Sequence, residues 1–126
     1  MESNETEKTE KAVDLIVVRP FTEAQIEEHA AKIGGRRNVQ EIPITTDDGY
    51  QFVYLVKRPS KNLMQAIAVE ENKKEKSDVT ALQKMMLGCV LEGDADAYEN
   101  DGAIYVELIK GIGNLVKTAK VALKKN

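Results

Sequence analysis

The chain has one cysteine, one histidine and no apolar run longer than the five residues Phe52 to Val56, and each scarcity removes a class of protein. A lone Cys89 cannot form an intramolecular disulfide, which excludes the stapled scaffolds of small secreted domains. Five consecutive apolar residues fall far short of the roughly 20 that span a bilayer. The opening also lacks the basic-then-apolar pattern of a secretory signal, so the expected setting is a reducing cytoplasm. His29 has no cysteine or carboxylate beside it at metal-ligand spacing, so it is expected on a helix face or the surface rather than in a zinc site. Basic charge is outweighed, with 18 Lys and Arg against 21 Asp and Glu. A net charge of -3 argues against a dedicated nucleic-acid binder, whose affinity comes from releasing counterions from a concentrated basic surface. No nucleophile–base pair or ligand cluster stands out, so the chain reads as non-enzymatic, with no cofactor and no metal.

What is present fits one domain of 126 residues. Residues 1–12 are polar and carry Glu2, Glu5, Glu7 and Glu10, with nothing apolar after the first residue until Ala12 to offset the entropy of ordering them. A disordered acidic tail is expected there, followed by a single α+β domain over 13–126. Val13 to Arg19 is β-branched and ends at Pro20, which suits a short strand or extended arm. Thr22 and Gln25 form a capping-box signature with Phe21 placed to staple onto Ile26, predicting a helix over about 22–33 that stops at Gly34-Gly35. Ile42 and Ile44 alternate with polar residues around Pro43, which points to an edge position or a bulge. After the turn residues Asp47-Asp48-Gly49, the aromatic and β-branched run Tyr50 to Lys57 completes a hairpin over about 39–57. Phe52, Tyr54 and Val56 share one of its faces. Two strands alone are marginal, so a packed helix or a third strand is required, for which Val13 to Arg19 is the candidate.

Lys57-Arg58-Pro59-Ser60 marks the change from strand to helix: proline pre-sets φ and serine caps. Helical periodicity then predicts helices over about 60–74, 78–91 and 102–124. Leu63, Met64, Ile67 and Ala68 share a face in the first; Leu82, Met85, Met86, Cys89 and Val90 form the stripe of the second. The stripe Leu108, Ile112, Leu115, Ala119, Ala122 marks the third, opposite Lys110, Lys117 and Lys124. The expected architecture is therefore a small β-hairpin, or three strands, packed with a C-terminal bundle of three or so helices.

Several motifs invite chemistry and have a plainer reading. Cys89 sits on an apolar stripe without basic neighbours, as a buried inert thiol does. Gly111-Ile112-Gly113 lacks both the third glycine and the preceding strand of a phosphate loop, and suits close helix packing. Asp94, Asp96, Glu99 and Asp101 lack the central glycine and terminal glutamate of a calcium loop, leaving a solvated acidic connector or single helical turn in which Asp101 caps the last helix. Met64, Met85 and Met86 either fill the core or line a permissive groove for apolar partner segments.

The stretches YLVKRPSKNLMQAIAV (from Tyr54), LQKMMLGCVLEGD (from Leu82) and DGAIYVELIKGIGNLV (from Asp101), with the PFTEAQI opening at Pro20, resemble small tail assembly chaperones of long-tailed bacteriophages or prophages. The shared pattern is a hairpin, a basic-Pro-Ser corner, a helix, a second helix ending in Cys89-x-x-x-Gly93-Asp94, and a final helix. The resemblance implies a non-enzymatic protein of the bacterial host cytoplasm. It would bind the tape-measure protein, and in some cases the tail-tube protein, during tail morphogenesis, working as a homo-oligomer without nucleic acid or membrane. Partner contacts are then expected from the hairpin face and the helical stripes: Phe52, Tyr54, Leu63, Met64, Met86, Leu108 and Ile112. A structural tail or head-completion component, or a host-directed phage regulator, are the alternatives.

Overall fold

A computed structural model describes residues 14–73 and 78–116. The acidic tail, the middle of the charged stretch after Glu70 and the expected continuation of the last helix past Val116, with Lys117 and Lys124, lie outside the described residues. The chain runs through β1 (Ile16–Val18), α1 (Glu23–Lys32), β2 (Val39–Thr45), β3 (Tyr50–Lys57), α2 (Lys61–Glu71), α3 (Val79–Leu87), β4 (Val90–Glu92), α4 (Ala95–Asn100) and α5 (Gly102–Val116). A single 3-10 turn, Arg36–Asn38, leads into β2.

β3 is the centre of a four-stranded sheet among the described residues. β2 pairs with it antiparallel along its whole length, from Val39 opposite Lys57 to Thr45 opposite Gln51. The other edge of β3 is shared. β1 takes Tyr50 to Phe52 in parallel, and β4 takes Leu55 and Val56 antiparallel, with a shift in register between them. The third strand expected at Val13 to Arg19 is thus present as β1. The fourth corrects the expectation of a helix to residue 91: α3 ends at Leu87, and Cys89 and Val90 are not helical. Gly88 caps α3, the Cys89 carbonyl accepts a hydrogen bond from the Lys57 N–H at 2.8 Å, and the chain enters the sheet. Sheet hydrogen bonding outcompetes one more helical turn there.

Pro43 sits where it costs the sheet nothing. Thr46 N–H donates to the Tyr50 carbonyl and Arg58 N–H to that of Asn38, so the even-numbered residues of β2 make the ladder bonds and residue 43 points its nitrogen outward. α1 begins with the expected capping box, in which Thr22 accepts from Gln25 N–H and Gln25 reaches back to Thr22 N–H. It ends where Gly34 and Gly35 take φ of 92° and 114°, and the Gly35 N–H closes on the Ala30 carbonyl.

Side chains alternate along β3 into two cores. Val53 and Leu55 meet Phe21, Ile26, Ala30 and Val39 beneath α1. Tyr54 and Val56 meet Ile44, Cys89, Ile104, Leu108 and Ile112 beneath α5. Helices therefore cover both faces, which explains why Val53 to Val56 form an unbroken buried run. Gly111 lets α5 approach the sheet, since a Cβ there would stand 2.9 Å from Ile42 Cδ1. On the α1 side, Arg19 donates to Glu41 at 2.8 Å, and His29 Nε2 lies 2.8 Å from Glu92 Oε2. His29 lies on α1, as expected for a helix-face residue, and is partly buried with a carboxylate partner 63 residues away.

Tyr54 is the largest fully buried side chain. Its hydroxyl donates to the Asp94 carbonyl at 2.7 Å, its ring lies tilted against Tyr98, and burial followed by the Asp94 charge pushes its phenol pKa well up. The ring lies over Gly93, where an added Cβ would meet Cδ1 at 2.2 Å with φ at 141°. Gly93→Ala is therefore expected to destabilise by about 2–5 kcal/mol, summing left-handed strain and overpacking. Gly49→Ala, with φ of 91° but nothing within 4 Å, should show only the strain of about 1–2 kcal/mol. Urea denaturation of both variants checks this, and equal losses would remove the Tyr54 contact as the cause.

Candidate functional site

The strand-to-helix corner is held from both sides before α2 begins. Lys57 N–H is bonded to the Cys89 carbonyl, while Arg58 donates its N–H to the Asn38 carbonyl at 2.9 Å and its Nε to the Arg37 carbonyl at 3.0 Å. Pro59 follows, and Ser60 Oγ accepts from Leu63 N–H at 3.2 Å to start α2. The role of the basic pair here is conformational: it anchors the departure of α2 from the sheet.

α2 and α3 are joined through a charged group. Glu70 is the only buried residue of α2. Its carboxylate accepts from the Asp78 N–H at 2.9 Å and pairs with Lys73 at 2.9 Å; those two interactions, the first the larger, hold its pKa below the usual carboxylate range. Asp78 in turn caps α3 by accepting from Ala81 N–H at 3.2 Å. The far side of α3 is tied to α5 by Tyr105, whose hydroxyl donates to Gln83 Oε1 at 2.8 Å.

Apolar burial contributes little to this pair. α2 contributes no fully buried apolar side chain, and α3 no fully buried residue at all. Leu63, Met86 and Leu87 touch the α5-side core with one flank, beside Leu115. Met64 on α2 is 36% exposed, Val69 67%, and Val79 on α3 61%. Ile67 on α2 and Leu82 and Met85 on α3 are half-buried. α2 and α3 thus leave single apolar side chains at the surface, beside half-covered ones, rather than burying them.

The expected contact residues divide accordingly. Leu63, Met64 and Met86 lie in or beside this surface. Tyr54, Leu108 and Ile112 do not: each is 0% exposed in the α5-side core, out of reach of a partner while the fold is closed. Periodicity marks an apolar face without saying what covers it, and α5 and the sheet cover each other. Phe52 is half-buried, stacked on Tyr50 with ring centroids 5.9 Å apart, beside a hollow of about 230 Å³ that Ala97 and Ile104 also line. Val69 and Val79 went unmarked because they lie off the stripes; their signal was an apolar residue on an otherwise polar helix face. A second hollow, about 400 Å³, runs between β2 and α5 past Ile42, Ile44, Glu107 and Lys110.

Reactive groups are placed for inertness. Cys89 is fully buried, and burial raises its thiol pKa despite the nearby Lys57. Asp101 caps α5 by accepting from Ala103 N–H, and Asp94 caps α4 by accepting from Ala97 N–H. Among the described residues no three His, Cys, Asp or Glu side chains come together to hold a metal, and no helix is long and apolar enough to cross a membrane.

The Glu70 link has a pH signature. Because its folded pKa is depressed, its contribution is full above the unfolded value of about 4.3 and is lost as pH falls through the folded one. The stability gap between wild type and Glu70→Gln should be widest at neutral pH and close in strong acid, read from urea midpoints across that range. A gap independent of pH would show that charge at Glu70 is not what joins the helices. No protein-family model, curated protein or solved structure matches this chain.

Proposed function

We propose that the protein is a non-enzymatic tail assembly chaperone of a long-tailed phage or prophage, acting in the host cytoplasm on the tape-measure protein. The observation that carries the reading is the α2–α3 pair, which lacks a fully buried apolar side chain and presents Met64, Val69 and Val79 outward. A chaperone for long apolar helices needs such a surface. It must offer adaptable apolar contact that a client helix can occupy and leave, held on a frame that does not unfold when the client departs. Here the caps at Ser60 and Asp78 and the Glu70 link hold the two helices, so little of their apolar area is committed to the chain's own core. The sequence pattern from Tyr54 to Val116 supplies the client class, and the exposed face supplies a means of binding it.

In this mechanism an amphipathic client helix lays its apolar stripe over Leu63, Met64 and Met86. Each square ångström removed from water contributes about 25 cal/mol, enough for reversible capture without covalent chemistry. The test is co-expression with a long, apolar helical protein of the tape-measure class, followed by solubility and pull-down measurements. Wild type should raise the soluble fraction of the client. The double substitution Met64→Glu, Val69→Glu should abolish capture while changing stability by no more than about 1 kcal/mol, because both side chains already meet solvent. An unchanged client solubility with wild type, or full capture by the double variant, would reject the proposal.

A further inference from the structure

The two long edges of the sheet are treated differently. Along β2, Pro43 occupies an outward-pointing position and removes the middle donor of the open edge, while Glu41 is bound to Arg19. β4 is short, irregular in register and ends in Glu92, which is engaged with His29. Among the described residues β1 has no such protection. Leu15 is 37%, Ile16 56% and Val17 55% exposed. Ile16 N–H donates to the Gly49 carbonyl at 2.9 Å, which turns the main-chain groups of Ile16 and Val18 toward β3 and those of Leu15 and Val17 outward. The strand therefore presents open donors and acceptors at Leu15 and Val17 between exposed apolar side chains.

We infer that this edge joins two copies of the chain, β1 to β1, antiparallel about a twofold axis through Ile16. Strand alternation allows such an axis only through a residue that faces its own counterpart, because opposed residues must share a face and a hydrogen-bonding type. Centred on Ile16, the register sets Leu15 of one copy opposite Val17 of the other, twice over, and all four outward N–H groups and all four outward carbonyls find mates. Centred on Val17, it would oppose Leu15 to Arg19, whose carbonyl already accepts from Phe21 N–H. The Ile16 register opposes Asp14 to Val18, so no like charges meet. Self-pairing thus suits this edge better than a foreign strand, and it makes one continuous eight-stranded sheet from two four-stranded ones.

So short a pairing buries less than the roughly 1,200 Å² of a stable interface, and the dimer is expected to dissociate on the order of 100 µM. This assembly does not depend on the client reading, and its test uses the purified full chain alone. Sedimentation across micromolar to near-millimolar concentrations should show the mass rising from 14.0 kDa toward twice that value. Val17→Pro removes an outward donor that the ladder of its own chain does not use, and Ile16→Lys places charge at the axis. Each should weaken association at least tenfold, with circular dichroism and thermal midpoint in dilute solution unchanged; if Val17→Pro alters the fold, Ile16→Lys carries the test. Ile16→Cys should cross-link the two copies on mild oxidation, because non-hydrogen-bonded antiparallel pairs bring Cα atoms to about 4.5 Å. Buried Cys89 should leave the wild type uncross-linked under the same conditions. A chain monomeric at every concentration overturns the inference, even if its edge captures a strand from another protein. A dimer that both variants leave intact also overturns it, since the copies would then meet elsewhere.

Discussion

β3 has hydrogen-bonded neighbours along both edges and buried side chains on both faces, and the rest of the molecule is arranged to satisfy it. An eight-residue strand in that position needs two helical covers and a full set of main-chain partners. β2 fills one edge entirely. The other is divided between β1, which arrives before α1, and β4, which arrives after α3, so segments some seventy residues apart are held to one strand. Tyr54, Gly93 and Asp94 tighten this arrangement: a ring that fills the α5-side core lies on a glycine and bonds the next carbonyl, fixing where β4 ends and α4 begins.

Stability and exposed apolar surface are separated in space. The two cores on either side of β3 hold the fully buried side chains, whereas α2 and α3 hang from a clamped corner and are joined by polar links. Such a division allows a surface to remain apolar without exposing the core, because the energy that keeps α2 and α3 folded comes from their caps, from Glu70 and from their inner flanks against α5. It also gives the two proposed contacts different chemistry. The helical face offers adaptable side chains; the β1 edge offers fixed main-chain donors and acceptors.

Much of the fold is legible because its signals are local. The Thr22–Gln25 capping box, the Asp47-Asp48-Gly49 turn, the outward Pro43, the Pro59-Ser60 corner and the Asp78 and Asp101 caps are settled within four residues of themselves, and each appears as its residue types require. β4 was not legible. Three residues following a helical stripe carry no period of their own, and Cys89 and Val90 extend the α3 stripe as naturally as they enter a strand. The candidate contacts split for a related reason: Leu63, Met64 and Met86 are indistinguishable by pattern from Leu108 and Ile112, since all are apolar residues at helical spacing.

By itself, then, the sequence determined the α+β class, the elements with strong caps or alternation, and which face of each is apolar, because those properties depend on φ preference, side-chain period and hydrogen bonds over a few residues. Only the tertiary structure decided what covers each face. It joined His29 to Glu92 and Tyr54 to Gly93 and Asp94 across 63, 39 and 40 residues of chain, set β4 against β3, enclosed Leu108 and Ile112, and left Met64, Val69 and the β1 edge at the surface. The physical reason is that burial belongs to pairs of surfaces, and a stretch of chain carries only one surface of each pair.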